Sequence, residues 1–271
     1  MTTNKCVPKV RGQDGCVIYY SHAASADYWD NHWERTINKE MFRYAAQGII
    51  GWKARDELIS RYMPKDEIIL EAGCGLGQIV LALRQRGYHA IGIDFAEQTL
   101  RQVKSLYPGL PLHISDLTQL DIADNTCGGY LSFGVIEHRE EGPQPFLNEA
   151  YRVLKPGRVA IISVPQVNLL RRAKVRLGLY PSRQAGGQFY QYAFTRLLLR
   201  QYVEGAGFEV LDWRGYDTLK GIKDEVGIIS VLNRRYPGFF RRVSGRLGMY
   251  DWIESTFGHM MIISCRKPLS P

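Results

Sequence analysis

The chain has 271 residues, 45% hydrophobic and 23% charged, with a formal net charge of +8. That length holds one large core with insertions, or a core plus a small cap, at ordinary globular composition. No apolar run approaches the roughly 18 residues of a membrane-spanning helix, and Met1 to Pro8 has no apolar leader core. The five cysteines, Cys6, Cys16, Cys74, Cys127 and Cys265, are scattered and form no C-x-x-C pair. This argues against a zinc site or a disulfide framework and for a reducing, cytoplasmic setting. The positive charge is uneven. From Gln166 to Tyr250, fifteen Lys and Arg face six Asp and Glu, an excess larger than that of the whole chain.

Residues 1–20, with Pro8, Gly12 and Gly15, read as a loose tail or strap. Ser25 to Thr36 reads as a helix with Tyr28, Trp29, His32 and Trp33 on one face, either docked on the core or closing over a ligand pocket. A helix over 51–62 and a turn at Pro64-Lys65-Asp66 lead to Ile68-Ile69-Leu70, a short buried strand. Glu71 ends that strand. Gly73, Gly75 and Gly77 follow at alternate positions, and a helix starts at Gln78. Glycines here let the backbone turn tightly and approach a ligand. The dinucleotide fingerprint G-x-G-x-x-G needs its third glycine where Gln78 stands. A carboxylate at Glu71 repels a pyrophosphate but suits an ammonium or a sulfonium.

His89 to Asp94 is a second buried strand whose terminal acid lies 17 residues after Gly77. Asp94 at a strand's carboxyl end can accept from both hydroxyls of a ribose, and Phe95 can pack on an adenine. The same carboxylate can also cap the helix that follows. Pro111 to Ile114 is a third strand, followed by Ser115-Asp116-Leu117. Gly128 to Phe133 is a fourth, followed by Gly134-Val135-Ile136-Glu137-His138. A helix over 143–154 stops at Lys155-Pro156-Gly157, and Arg158 to Val164 is a fifth strand. Such alternation implies an open parallel sheet wrapped by helices, with Glu71, Asp94, Asp116 and Phe133 along one rim. Beyond Pro165 a basic, aromatic insert runs to Tyr192. A helix from Phe194 to Val203 and a strand near Val210 resume the core. A second insert over 214–255 precedes the last strand, Gly258 to Cys265. Within it Phe239, Val243 and Leu247 recur at helical spacing, with Phe240 beside them and Arg241, Arg242 and Arg246 on other faces. The organisation expected is a tail and lid helix (1–50), a core (51–165 and 195–213), an insert forming a cap (166–194), a basic insert (214–256) and a final strand with its tail (257–271).

In order and spacing, Glu71 to Gly77, Asp94, Asp116, Val135-Ile136-Glu137-His138, Leu154-Lys155-Pro156-Gly157 and Gly205-Ala206-Gly207-Phe208 resemble the motifs of class I S-adenosyl-L-methionine (SAM) dependent methyltransferases. The likeness is to the type 11/type 12 group, which includes the ubiquinone-biosynthesis O-methyltransferases, and covers roughly residues 51–213 plus the last strand. It implies an α/β, Rossmann-like fold: a seven-stranded, mostly parallel sheet with an antiparallel last strand and helices on both faces. It implies Glu71, Gly73, Cys74, Gly75 and Gly77 near the methionine part of SAM, with Arg55 near its carboxylate. Asp94 and Phe95 would meet the ribose and adenine, Asp116 and Leu117 the adenine, and the Phe133 backbone the ligand. Where some relatives carry E-x-x-E-H for a metal, the first position here is Gly134, so no metal is expected. The Asn/Asp-Pro-Pro-aromatic and Pro-Cys signatures of nucleobase methylation are missing.

The expected activity is methyl transfer to a small-molecule, glycan or lipid-linked acceptor, with oxygen as the expected atom and S-adenosyl-L-homocysteine as product. His138 is the expected general base, with a turn-capping role as its structural alternative. His259 is a second choice, and Tyr190 and Tyr192 are acceptor-lining candidates. Competing functions are a SAM-binding protein without catalysis and transfer to nitrogen or carbon of a small metabolite. A nicotinamide oxidoreductase is disfavoured by Glu71 and Gln78. The basic inserts read as a solvated surface, as a site for an anionic acceptor, or as a docking face for an anionic membrane. No RNA-binding module is visible, so nucleic acid is not an expected partner. The sequence fixes no oligomeric state.

Overall fold

The computed structural model describes residues 8–34, 37–182 and 186–269. Cys6, Arg183 and the last two residues of the helix expected over 25–36 lie outside the described residues. In chain order the elements are β1 (Lys9–Arg11), β2 (Val17–Ser21), α1 (Ala26–Glu34), α2 (Lys53–Tyr62), β3 (Ile68–Ala72), α3 (Gln78–Gln85), β4 (His89–Asp94), α4 (Glu97–Leu106), β5 (Leu112–Ile114), β6 (Cys127–Phe133), α5 (Gln144–Val153) and β7 (Leu154–Pro165). There follow α6 (Leu169–Arg176), β8 (Gln188–Ala193), α7 (Arg196–Gly205), β9 (Glu209–Tyr216), α8 (Thr218–Lys223), α9 (Gly227–Arg235), α10 (Pro237–Leu247), α11 (Asp251–Phe257) and β10 (Met260–Arg266).

Seven strands form the main sheet in the order β5-β4-β3-β6-β7-β10-β9. The pairs from β5 to β7 are parallel, and β10 runs antiparallel to both β7 and β9. The alternation of side chains along each strand splits the core in two. Ile69, Leu112, Leu131 and Ile161 pack on one face with Leu58, Ile59, Val80, Leu83, Leu100 and Val103, from α2, α3 and α4. Leu70, Tyr130, Ala160 and Ile162 pack on the other with Leu147, Ala150, Leu199 and Val203, from α5 and α7. Each such fully buried aliphatic side chain contributes about 1.5–3 kcal/mol of burial. The strand order reverses at β3, flanked by β4 on one side and β6 on the other, and a crevice at that point is where open α/β sheets bind ligands.

Three expectations need correction. Much of the tail over residues 1–20 is ordered: β1 and β2 join β8 in a three-stranded antiparallel sheet, with Val17 opposite Ala193 and Ser21 opposite Gln188. The pairing spans most of the chain, so local pattern did not reveal it. The same sheet draws in the first insert, which holds α6 and β8. Lys155-Pro156-Gly157 is not simply a helix stop. The helix already ends at Val153, and Leu154 pairs with Cys127 as β7 begins. In α10 the inward residue is Phe240, while Phe239 is 63% exposed; the apolar stripe is rotated from the Phe239–Val243–Leu247 line expected.

One buried ion cluster ties the N-terminal strand to both inserts. Arg171, wholly buried, donates through Nε to Glu225 Oε1 at 3.0 Å. Lys9 Nζ (2.6 Å), Lys174 Nζ (2.9 Å) and the Tyr180 hydroxyl (2.6 Å) converge on the same carboxylate. Burial alone would raise the Glu225 pKa, but these donors outweigh it and hold it at about 2.

Candidate active site

Two cavities meet at the carboxyl ends of β3 and β6. The first, of about 680 Å³, is lined by Asp94, Phe95, Asp116, Leu117, His138 and Phe146, with Trp29 and Trp33 from α1. The second, of about 600 Å³, is lined by Arg55, Glu71, Cys74, Gln78, Ile79 and residues between Met41 and Gly51. Trp33, Gly73, Gly75 and Phe133 line both.

The glycine turn has a backbone reason. Gly73, Gly75 and Gly77 all hold positive φ (79°, 49° and 64°), which other residues rarely adopt. A Cβ on Gly73 would stand 2.2 Å from Val135 Cγ2, so the β3 turn and the loop after β6 approach only because this residue lacks one. Gly77 does not itself line either cavity; its missing side chain leaves room for Leu112, 2.9 Å from where its Cβ would lie.

Asp94 is 6% exposed, and its two oxygens accept from Gly75 N (2.8 Å) and Ala96 N (3.0 Å). The carboxylate thus holds the glycine turn against the start of α4, and each oxygen keeps a further lone pair. Burial raises its pKa while these backbone bonds pull the other way. Phe95 is 37% exposed and presents its ring to the first cavity. Asp116 accepts from the backbone and hydroxyl of Thr118, both at 2.8 Å, and remains on the cavity wall.

In the second cavity, Glu71 accepts from Val80 N at 3.2 Å. Burial pushes its carboxyl up to about 8, against the opposing pull of Arg55. The Arg55 guanidinium carbon lies 4.4 Å from the Phe133 ring centroid, and its buried Nε has no hydrogen-bond partner. A raised acid and an under-bonded cation thus share one cavity, a donor set that suits the ammonium and carboxylate of an amino-acid zwitterion. With the ribose-type acid and aromatic wall of the first cavity, the residues present fit SAM.

His138 lies in a single 3₁₀ turn, Ile136–His138. Its Nδ1 is 2.8 Å from the Tyr190 carbonyl of β8. A neutral ring donates there and leaves Nε2 as an acceptor. Burial lowers its pKa to about 4. Its ring packs edge-on against Trp29 and Tyr190. Beside it, Glu137 is buried, raised to about 8 by desolvation, with Oε1 4.0 Å from His138 Nε2 and Oε2 without a partner. Among the residues lining the first cavity, His138 is the one whose neutral form is a nitrogen base.

Other expectations fall elsewhere. His259 is not at either cavity: it contacts Arg171 Nη2 (2.9 Å) and Lys220 Nζ (2.7 Å) in the buried ion cluster. Burial and those cations push its pKa well down. Tyr190 and Tyr192 do not line the cavities. Tyr190 supports His138 from behind, and the Tyr192 hydroxyl donates to Glu140 O at 2.7 Å. Sequence reasoning missed Val135, Arg139, Phe146 and the Met41–Gly51 wall. For the last, the available signal was Asn38, whose side chain caps Met41 N at the start of a short 3₁₀ turn. Among the described residues no cluster of His, Cys, Asp and Glu has the geometry of a metal site.

Comparison with known proteins agrees with this geometry. Residues 70–162 match a family model described as a methyltransferase domain. A probable S-adenosylmethionine-dependent methyltransferase of Mycolicibacterium smegmatis is 32% identical over 148 residues, 54% of each chain. A ubiquinone biosynthesis O-methyltransferase of Pseudomonas syringae is 31% identical over 93 residues, 33% of this chain and 40% of that one. The chain therefore spans about half the length, or less, of these curated relatives. A putative methyltransferase from the Haloferax volcanii Trm112 activator complex has the same fold (TM-score 0.59, 16% identity, covering 92% of this chain and 98% of that one). Over residues 70–162 the chain thus resembles a methyltransferase domain of the SAM-dependent type.

Proposed function

We propose that the whole chain is a SAM-dependent methyltransferase that acts on a hydroxyl of a small, largely apolar acceptor. The observation that carries this reading is the first cavity, which brings Asp94, Phe95 and Asp116 together with His138 in one aromatic-walled space. When bound, SAM supplies a methyl carbon activated by its sulfonium. The chain's own residues do the rest. Glu71 and Arg55 hold the amino-acid end, Asp94 the ribose, and Phe95, Asp116 and Leu117 the adenine. Holding donor and acceptor in line supplies much of the rate. His138, with Nδ1–H fixed on the Tyr190 carbonyl, presents Nε2 to take the acceptor's proton. Trp29, Trp33 and Phe146 exclude water and favour an aromatic or lipid-like acceptor body. Quinone-pathway methyltransferases among the relatives support a small-molecule acceptor.

The test is incubation of the purified chain with SAM and a panel of phenolic, quinol and lipid-borne hydroxyl compounds. S-adenosylhomocysteine formation and a methylated product are read by mass spectrometry. Methyl ether products support the reading. Methylation only at nitrogen or carbon, or SAM binding without turnover on any acceptor class, contradicts it.

A further inference from the structure

The helical insert between β9 and β10 carries an unusual surface. From Val226 to Tyr250 there are five arginines and not one acid. Arg234, Arg235, Arg241, Arg242 and Arg246 are all exposed, and none joins an ion pair among the described residues. Interleaved with them are large apolar side chains that face solvent. On α9, Ile228 (62% exposed), Val231 and Leu232 are exposed at helical spacing i, i+3, i+4, with Arg235 continuing the line at i+7. On α10, Phe239 (63%) shares a face with Arg242 and Arg246, while Phe240 holds the helix to the protein. Tyr236, Met249, Tyr250 and Trp252 add to the exposed set. An ordinary surface helix turns its apolar stripe inward; this one presents aliphatic, aromatic and cationic groups together to the outside.

The insert is also well placed. Tyr216, the last residue of β9, pairs with Met260 at the start of β10, which in turn pairs with Pro165 at the carboxyl end of β7. The insert therefore leaves and rejoins the sheet on the edge that holds Phe133 and the cavities. Tyr216 lies against Arg55, which lines the second cavity.

We propose that the exposed face of α9 and α10, with Tyr250 and Trp252, docks the protein on an anionic lipid bilayer. The charge chooses the partner class. Unpaired arginines complement anionic headgroups, and Phe, Trp, Tyr and aliphatic side chains enter the headgroup–acyl boundary while arginine stems reach back to the phosphates. A nucleic acid would use the arginines but has no use for Ile228, Val231 and Leu232. A second copy of the chain, related by a two-fold axis, would set five arginines against five. Together with the methyltransferase reading, on which this clause alone rests, docking here makes the acceptor a lipid-borne hydroxyl compound delivered to the same edge.

The test is co-sedimentation with vesicles of phosphatidylcholine alone and of phosphatidylcholine mixed with phosphatidylglycerol. Wild type is compared with an Arg234→Gln/Arg235→Gln/Arg241→Gln/Arg242→Gln variant and an Ile228→Ser/Phe239→Ser/Trp252→Ser variant. All seven positions are exposed, and S-adenosylhomocysteine affinity checks that each variant keeps its fold. The wild type binds the mixed vesicles and barely binds phosphatidylcholine. Loss of four surface charges lowers partitioning at least about 100-fold. The serine variant lowers it about tenfold or more, and what remains disappears at high salt. No binding to mixed vesicles by wild type that binds S-adenosylhomocysteine overturns the proposal. So does serine-variant binding equal to wild type, or tighter wild-type binding to an oligonucleotide than to the vesicles. Vesicle binding without S-adenosylhomocysteine binding leaves docking standing and removes the methyltransferase reading.

Discussion

The edge of the sheet at β3 and β4 and the helical insert after β9 are built by opposite means. At β3 and β4 the key groups are buried and set by backbone. Three left-handed glycines, a carboxylate bonded to two amides and a buried Glu71 leave little freedom. In the insert, α9 buries no residue and α10 only Phe240, and most of their large side chains face out. The first arrangement recognises one compact ligand through fixed geometry. The second recognises a surface through composition, where no single residue is indispensable. A substitution at the first should abolish a function; one at the second should weaken it by degrees.

The steepest effect expected on the buried side is at His138. His138→Gln should lower turnover by about 10²–10⁴-fold while S-adenosylhomocysteine affinity stays near wild type. Rates of methylated-product formation and calorimetric titration check the two halves. Equal turnover would return His138 to a purely structural role in the turn.

Stability against pH separates the buried groups by sign. His138 is held neutral at a pKa of about 4, below its unfolded value near 6.5. Its contribution is complete above pH 6.5 and is lost as pH falls towards 4, on the order of 3 kcal/mol. His259, also depressed, shares that window, so His138→Gln should flatten only part of the acid slope. Glu71 and Glu137 are raised to about 8. Their contribution is complete below the unfolded carboxyl value and is lost as pH rises through 8, so Glu137→Gln should flatten the alkaline slope. Denaturant midpoints from pH 4 to 9 read both, and an alkaline slope unchanged in Glu137→Gln would contradict the assignment.

A smaller effect follows from Glu71. An ammonium group beside it lowers its pKa from about 8, so SAM binding near neutral pH should release close to one proton. Binding enthalpies in buffers of different ionisation heat should reveal that proton, and Glu71→Gln should remove it. No release by wild type would place the ammonium elsewhere.

The sheet and its rim were legible because each strand is short, apolar and local, and because Gly73, Gly75 and Gly77 together with Glu71 and Asp94 carry their chemistry in one or two adjacent turns. β4 over His89–Asp94 has the bounds read from the sequence. What was not legible depended on distant partners. β2 is recognisable as a strand only beside β8, whose Gln188 pairs with Ser21 from the far half of the chain. His138 was readable as a titratable residue at the rim, but its fixed tautomer comes from the Tyr190 carbonyl of that same strand. His259 reads as the second-choice base in sequence, and only packing places it among Arg171 and Lys220. The inward turn of Phe240 rather than Phe239 likewise depends on what α10 packs against.

Calorimetric titration of wild type and Asp94→Ala with SAM and S-adenosylhomocysteine tests the central claim most directly. Asp94 holds the glycine turn and is the proposed partner of the ribose, and a lost charge-assisted bond of about 1.5–3 kcal/mol corresponds to roughly tenfold or more in affinity. The account predicts binding of both ligands by wild type, weakened at least that much in Asp94→Ala with the fold intact by circular dichroism. Binding unaffected by Asp94→Ala, or no binding by folded wild type, would contradict it.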